Sequence, residues 1–146
     1  MQRKCWKQPN RCNAAKPKVT ATNQHTTIAQ AIRGALLTAD PTAKVFATRR
    51  LVRGWRSGLL SATFDVAMPD QPAWPDRPEL LPPGKMPKRG KGGSERKRIA
   101  LWHSLAHIEF VAIDLALDMA GRFGEAMGAE FVSDFLSVAA DEAMHF

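Results

Sequence analysis

Residues 94–146 decide the fold of this chain, and they read SERKRIALWHSLAHIEFVAIDLALDMAGRFGEAMGAEFVSDFLSVAADEAMHF. Apolar residues recur in this stretch at steps of three and four, which predicts two amphipathic helices. The first helix is expected to run from an N-cap at Ser94 to about Arg122, where neighbouring glycines would end it. The second is expected to begin near Ala129 or Glu130 and to continue to Phe146, because nothing in the sequence closes it earlier.

Both predicted helices carry metal-type ligands on an apolar face. Glu109 falls near the middle of the first face, which is formed by Ile99, Trp102, Leu105, Ala106, Ala112, Ile113, Ala116, Leu117 and Ala120. Glu142 and His145 lie further along the apolar stripe of the second helix, which begins with Phe131, Phe135 and Val138. A carboxylate inside an apolar face is costly unless it is paired or bound to a cation. We therefore expect specific chemistry at these three polar groups.

The spacing of these groups is typical of one half of a di-metal site. In di-iron carboxylate bundles, two helices each give one glutamate and the other two each give a Glu-x-x-His. This chain has one of each, namely Glu109 and the sequence Glu142-Ala-Met-His145. The pattern predicts that Glu109, Glu142 and His145 descend from a metal site that holds two ions when complete, and their ligand types suit iron or manganese.

Other interpretations of the polar groups remain open. A single Glu-x-x-His arises by chance on solvated helices, and Glu109 could pair with an arginine or with a histidine. His103 and His107 are four residues apart, and Asp114 and Asp118 continue their stripe. Such a histidine pair can hold zinc, although a solvated or partner-facing stripe is the favoured interpretation.

Length and composition predict the class of protein. A chain of 146 residues is one domain or part of one. It contains no unbroken apolar run of about 18 residues, so no membrane span is expected. The N-terminus is basic but has no apolar core, so we do not expect a secretory signal. We expect a cytoplasmic location. Cys5 and Cys12 are expected to be free thiols rather than zinc ligands.

The charge is divided unevenly along the chain. Residues 1–98 hold 20 Lys/Arg against 6 Asp/Glu, a balance of +14, whereas residues 99–146 hold 1 against 8, a balance of −7. An acidic segment suits a cation site. The basic cluster of Lys85, Lys88, Arg89, Lys91, Arg96, Lys97 and Arg98 suits RNA or another polyanion. Nucleic-acid binding is the weaker expectation, because no aromatic residues that would stack on bases are interleaved with these charges.

The chain before residue 94 is expected to have three parts. Residues 1–24 are polar and aperiodic, which predicts a disordered basic arm. Residues 25–57 predict two amphipathic helices, one capped by Thr26 or Thr27 and the other starting at Asp40-Pro41 and ending near Arg56.

Residues 58–93 predict a long Pro/Gly-rich basic connection, because seven of the ten prolines lie between Pro69 and Pro87. Parts of it are expected to pack along the helices through Trp74, Leu80, Leu81 and Met86. The second helix carries a basic stripe formed by Arg49, Arg50, Arg53 and Arg56. A solvated helix face explains this stripe better than a phosphate-binding surface does.

Three stretches resemble an uncharacterised bacterial ferritin-like family, domain of unknown function 455. They are Pro78-Glu-Leu-Leu-Pro-Pro-Gly-Lys-Met-Pro-Lys-Arg89, His103-Ser-Leu-Ala-His-Ile-Glu-Phe-Val-Ala-Ile-Asp-Leu-Ala-Leu-Asp118 and Ala140-Asp-Glu-Ala-Met-His-Phe146. The resemblance covers roughly residues 26–146 and is densest from residue 75 onward. It implies an all-α ferritin-like bundle with a di-iron or similar site, and a distant similarity to non-haem di-iron tRNA hydroxylases. It also implies iron ligands at Glu109, Glu142 and His145.

The same resemblance implies that residues 25–146 are a partial domain, the N-terminal half of the family. Two further helices with a second glutamate and a second Glu-x-x-His would be needed for a complete site. We expect either a homodimer or a complementary half to supply them. The sequence thus predicts a protein of non-haem di-iron oxidoreductase ancestry, and whether this chain is itself an enzyme stays open. The alternative is a non-enzymatic fragment that binds such a half, a second copy or RNA.

Overall fold

The computed structural model describes residues 26–79, 81, 83–85 and 93–146. Within these ranges the chain forms α1 (Ile28–Leu36), α2 (Pro41–Arg56), α3 (Glu95–Met127) and α4 (Ala129–His145). There is also a short 3-10 helix at Pro83–Lys85, and these ranges contain no β-strand. The prediction of an all-α chain is therefore confirmed. The predictions for residues 1–24, Leu80, Met86 and the basic residues 88, 89 and 91 fall outside the described residues.

The two short helices begin where their capping residues predict. The Thr27 side chain accepts a hydrogen bond from the backbone N–H of Gln30 at 3.1 Å and so caps α1. Asp40 accepts one from the N–H of Ala43 at 2.7 Å and caps α2, with Pro41 as the first helical residue. Each cap satisfies a backbone donor that has no partner within its helix.

α3 is longer than the sequence predicted, because it continues through Gly121 and Gly124 to Met127 and only Gly128 ends it. The interior glycines are sites of close packing. A Cβ on Gly124 would lie 2.6 Å from Cγ2 of Val132 and 2.7 Å from Cζ of Phe64. Interpreting them as helix breakers was wrong, whereas Gly128, with φ 90°, makes the turn into α4.

α3 and α4 form a helical hairpin of unequal arms. At 1.5 Å per residue, the 33 residues of α3 span about 50 Å and the 17 residues of α4 span about 25 Å. α4 therefore covers only the C-terminal half of α3. The buried residues in this half of α3 include Ile113, Leu117 and Ala120.

The N-terminal half of α3 has no helix against its apolar side in the described chain. Three residues define what we call the open face of α3: Ile99, Trp102 and Leu105, which are 61%, 66% and 40% exposed. The sequence placed all three on a buried face. That prediction is wrong because α4 ends before it reaches them.

α1 and α2 complete the bundle around the covered half of the hairpin. α1 packs on α2 and α3, and α2 packs on α4. The core unites all four helices and the connection, and it consists of Ile28, Ala29, Ile32, Ala35, Leu36, Leu51, Val52, Met68, Ile113, Ala116, Leu117, Ala120, Val132, Leu136, Ala139 and Ala143.

The buried stripe of α4 is not the stripe that the sequence predicted. The buried residues are Val132, Leu136, Ala139 and Ala143, one position along from the predicted stripe. Phe131 and Phe135 are half-buried and contact each other, with ring centroids 4.6 Å apart, while Val138 is 45% exposed. Both stripes are apolar, and α2 packs on α4 at the second one. Glu142 consequently lies at the edge of the core.

The connection after α2 wraps around α1. The N–H of Ile28 donates to the Ser61 carbonyl at 2.9 Å, and the N–H of Ala73 donates to the Leu36 carbonyl at 2.8 Å. Met68 is buried in the core. Packing of the connection on the helices is thus confirmed for this segment, whereas Leu81 is 39% exposed.

One helix of the described chain is long and apolar enough to cross a membrane, judged by length and composition alone. It is α3, in which a window of 18 residues has a mean hydropathy of 1.3 and is 22% buried. A core helix of a water-soluble protein can meet the same criterion, so a single such helix is weak support for a membrane span. The sequence had predicted none.

Candidate metal centre

Glu109, Glu142 and His145 come together at the point where α4 ends against α3. Glu109 lies near the middle of α3, and the other two lie in the last turn of α4. The rings of Phe110 and Phe146 are in contact beside them, with centroids 5.4 Å apart. This contact fixes the end of α4 on α3, so that the residues which precede the two rings face each other.

The three polar groups form one compact cluster. Nδ1 of His145 lies 3.6 Å from Oε2 of Glu109 and 3.5 Å from Oε2 of Glu142. One ligand atom from each residue lies within 4.8 Å of the others. The side chains of Glu109 and Glu142 are 28% and 22% exposed, and that of His145 is 59% exposed. The cluster is therefore open to solvent on the imidazole side.

Glu142 opposes the ionisation of the Glu109 carboxyl. A side-chain hydrogen bond with Glu142 raises the pKa of Glu109 above its usual value of 4.5. Desolvation by burial and charge repulsion from Glu142 raise it further. His145 opposes this rise through its own charge and hydrogen bond. Paired carboxylates share a proton or a cation for this reason.

The donor set fits a first-row transition metal. Two ligands bound to one ion at ~2.1 Å lie about 3–4 Å apart, close to the separations found in the cluster. Two carboxylates and an imidazole suit iron or manganese. Within residues 26–79, 81, 83–85 and 93–146, this is the one group of three or more His, Cys, Asp or Glu residues placed to hold an ion.

The predicted stripe of His103, His107, Asp114 and Asp118 is partly covered by the chain's own connection, and His103 is exposed. His107 contacts Trp74, with ring centroids 5.5 Å apart, and Asp118 forms an ion pair with Arg122 at 2.7 Å. In the described chain, no third ligand joins the two histidines, as a zinc site would require. The favoured prediction of a solvated stripe is also wrong for Asp114, which is 4% exposed.

Asp114 is half of a buried ion pair that the sequence did not reveal. Nζ of Lys44 donates to Oδ1 of Asp114 at 2.6 Å and to the Ala73 carbonyl at 3.0 Å, and it lies 4.8 Å from the centre of the Phe110 ring. Burial lowers the pKa of Lys44 and raises that of Asp114, and their mutual hydrogen bond opposes both shifts. The partners are 70 residues apart, so no local pattern could have indicated the pair.

The arginine stripe of α2 is not a single solvated face. Arg49 donates to the Ala143 carbonyl at 2.9 Å, and Arg56 donates to the Ser137 hydroxyl at 3.1 Å. Arg50 and Arg53 are exposed. Two of the four arginines therefore hold α2 on α4, which carries two of the cluster residues.

Comparison with known proteins gives one family and one relative. Residues 37–146 match the family described as "Protein of unknown function (DUF455)". A protein of Haemophilus influenzae, described as "Uncharacterized protein", is 37% identical over 132 aligned residues. The alignment covers 80% of this chain and 44% of that relative, so the chain spans less than half the length of the relative. No solved structure matches the chain.

Proposed function

The chain belongs to the family of proteins of unknown function DUF455, and we propose that it is a ferritin-like metal-binding protein of oxidoreductase ancestry. Glu109, Glu142 and His145 would form half of a di-iron or di-manganese carboxylate centre. The observation that supports this proposal is the convergence of two carboxylates and one imidazole from two helices. Such a ligand set is the contribution of two helices in a four-helix carboxylate bundle.

The roles of the residues follow from their chemistry. Glu109 and Glu142 have two oxygens each and can hold one ion or bridge two, and His145 binds through a ring nitrogen. The metal would supply redox chemistry with dioxygen, for which ferrous iron or an organic molecule would be the substrate. Phe110 and Phe146 pack on each other beside the cluster, whereas the imidazole side is open to solvent.

The other half of the centre would come from a second copy or from a complementary half. The open face of α3 begins at the cluster and continues for about 15 Å toward the N-terminus of the helix. A partner that covers this face would lie beside Glu109. In a symmetric dimer, each chain would give one glutamate and one Glu-x-x-His, which together make the set that a di-metal bundle uses.

The test is a measurement of metal content and molar mass on the same sample. The chain is reconstituted anaerobically with Fe²⁺ or with Mn²⁺ and passed through a column, and metal per chain is determined together with mass by light scattering. We expect about one ion per chain in a dimer, as for one di-metal site shared by two chains. One ion per chain in a monomer would instead indicate a mononuclear site. No retained metal would contradict the proposal.

Two variants test whether the metal binds at the cluster of Glu109, Glu142 and His145. Glu142→Ala removes a proposed ligand and should abolish stoichiometric binding. Asp141→Ala is the matched control, because it removes the same charge from the neighbouring, exposed position of α4. Equal metal content in both variants would show that the ions bind elsewhere.

A second candidate function is a non-enzymatic module that binds a partner through the open face of α3. Exposed large apolar residues such as Ile99 and Trp102 favour it, because contiguous apolar surface of this kind marks interaction sites. Under this alternative, Trp102→Asp would abolish assembly and Glu142→Ala would not.

RNA is the other partner to consider, since Arg96 and Arg98 are exposed on the first turn of α3. RNA affinity would then fall steeply with salt, and no binding at low salt excludes RNA.

A further inference from the structure

A small cleft lies between the connection and the N-terminal half of α3. It has a volume of about 180 Å³, and its walls are Trp74, Pro75, Pro78, Phe110 and Phe146. Pockets for drug-sized ligands begin at roughly 300 Å³, so this cleft is of a size for a single-ring molecule.

The aromatic walls of the cleft hold one another in place. Trp74 meets Phe110 edge-on, with ring centroids 5.8 Å apart, and Phe110 contacts Phe146 at 5.4 Å. Phe110 is only 4% exposed. Trp74 also contacts His107 at 5.5 Å. A flat apolar body could stack on these rings, since aromatic pairs favour offset and edge-to-face arrangements.

Three ionisable side chains of the described residues line the cleft, namely Arg77, His103 and His107. No acidic side chain is among the lining residues of this part of the chain. Arg77 is exposed at the edge of the cleft. A guanidinium binds a carboxylate through two parallel hydrogen bonds, which gives both affinity and orientation. The guanidinium of Arg77 therefore favours an anion at this edge of the cleft.

We infer that this cleft binds a small aryl carboxylate. The ring lies against Trp74 and Phe146, and the carboxylate pairs with Arg77. Phe110 follows Glu109 in the chain and Phe146 follows His145, so the cleft adjoins the carboxylate–imidazole cluster. Binding in the cleft uses none of the three cluster residues and does not require a metal.

The test compares an acid with its neutral amide on metal-free protein in EDTA. Ligand-observed NMR titrations with phenylacetate and phenylacetamide measure both affinities. A ligand of about ten heavy atoms should bind with a dissociation constant of roughly 0.1–1 mM. We expect phenylacetate to bind about tenfold more tightly than the amide, which corresponds to ~1.4 kcal/mol. Equal affinities for the two, or no binding of either, would overturn the inference.

Three variants locate the binding. Arg77→Gln should reduce phenylacetate affinity to that of the amide and leave amide affinity unchanged. Arg53→Gln is the matched control, because Arg53 is also exposed but does not line the cleft, and the tenfold preference should persist in it. Ala106→Leu enlarges a lining residue on a helix and should abolish binding of both probes. Unchanged binding in Ala106→Leu, or equal effects of the two arginine variants, would place the ligand elsewhere.

These outcomes are independent of the proposed metal centre. All titrations use metal-free protein, so a failure here leaves the metal measurements unaffected. Arg77 lies on the surface and its variant should fold even if Ala106→Leu does not. Far-ultraviolet circular dichroism of each variant establishes this before the titrations.

Discussion

Replacing Lys44 with methionine should destabilise the chain more than any single surface substitution. Its Nζ lies 2.6 Å from Oδ1 of Asp114, and the two side chains are 0% and 5% exposed. The variant leaves the Asp114 carboxylate buried without its cation. Breaking a buried ion pair in this way costs about 3–5 kcal/mol, a large share of the ~5–15 kcal/mol by which a domain is stable. Oδ2 of Asp114 has no hydrogen-bond partner among the described residues.

The reverse single variant and the double variant complete the cycle. Asp114→Leu strands the ammonium group of Lys44 and should cost a similar free energy. Lys44→Met combined with Asp114→Leu removes both charges, and it should lie within about 1–2 kcal/mol of the wild type. Asp118→Asn is the control, since it breaks an ion pair that is 36% and 34% exposed, and it should cost less than ~1 kcal/mol.

Urea unfolding followed by circular dichroism measures all four variants at pH 7 and at pH 5. The cost of Lys44→Met should be smaller at pH 5, because burial already raises the pKa of Asp114 and the stranded carboxyl can take up a proton. The reasoning is refuted if either single variant costs less than ~1 kcal/mol, or if the double variant is as unstable as the worse single one.

Two further predictions concern packing and pH. Gly124→Ala should lower the free energy of unfolding by ~1–3 kcal/mol, because the added Cβ would lie 2.6 Å from Cγ2 of Val132. In Gly34→Ala the added Cβ meets nothing within 4 Å, so this variant should raise the free energy of unfolding by ~0.5–1 kcal/mol. Urea unfolding of the two glycine variants measures both changes, and equal effects would contradict the packing argument. In metal-free protein, Glu142 raises the folded-state pKa of Glu109 above 4.5, so the folded state holds that proton more tightly than the unfolded state. The wild type should therefore gain stability relative to Glu142→Gln as the pH falls from 7 toward 4.5, and a difference in melting temperature that is constant with pH argues against this.

Local features of the sequence predicted the starts of the helices well. Thr27, Asp40 and Pro41 act within three residues of their own positions, so their effects can be read without knowing the fold. The spacing of Glu109, Glu142 and His145 is likewise a property of two helices and one turn. Their convergence follows from antiparallel packing of consecutive helices.

Features that depend on distant partners could not be predicted. Gly124 packs against Phe64, which is far away in the sequence. From the neighbouring residues alone, a glycine that allows close packing cannot be distinguished from a glycine that ends a helix. α4 has two apolar stripes, and α2 packs on the one that contains Leu136. The Lys44–Asp114 pair joins α2 to α3 across the core. Each of these depends on contacts between elements, about which periodicity carries no information.

The unequal arms of the hairpin have a consequence for the order of α3. All eight residues from Glu95 to Trp102 are exposed, and isolated helical segments shorter than about 12–15 residues are only marginally stable in water. Because burial stabilises the helix at Ile113 and Leu117 and not beyond them, we expect it to be firm there and to fray toward Glu95, with Glu109 near the boundary. A chain that covers the open face must first suppress this fraying, and the lost conformational entropy lowers its affinity. A cation bound at the proposed metal centre through Glu109 would extend the firm part of the helix beforehand. Metal and partner would then bind cooperatively, because both depend on the order of one helical segment.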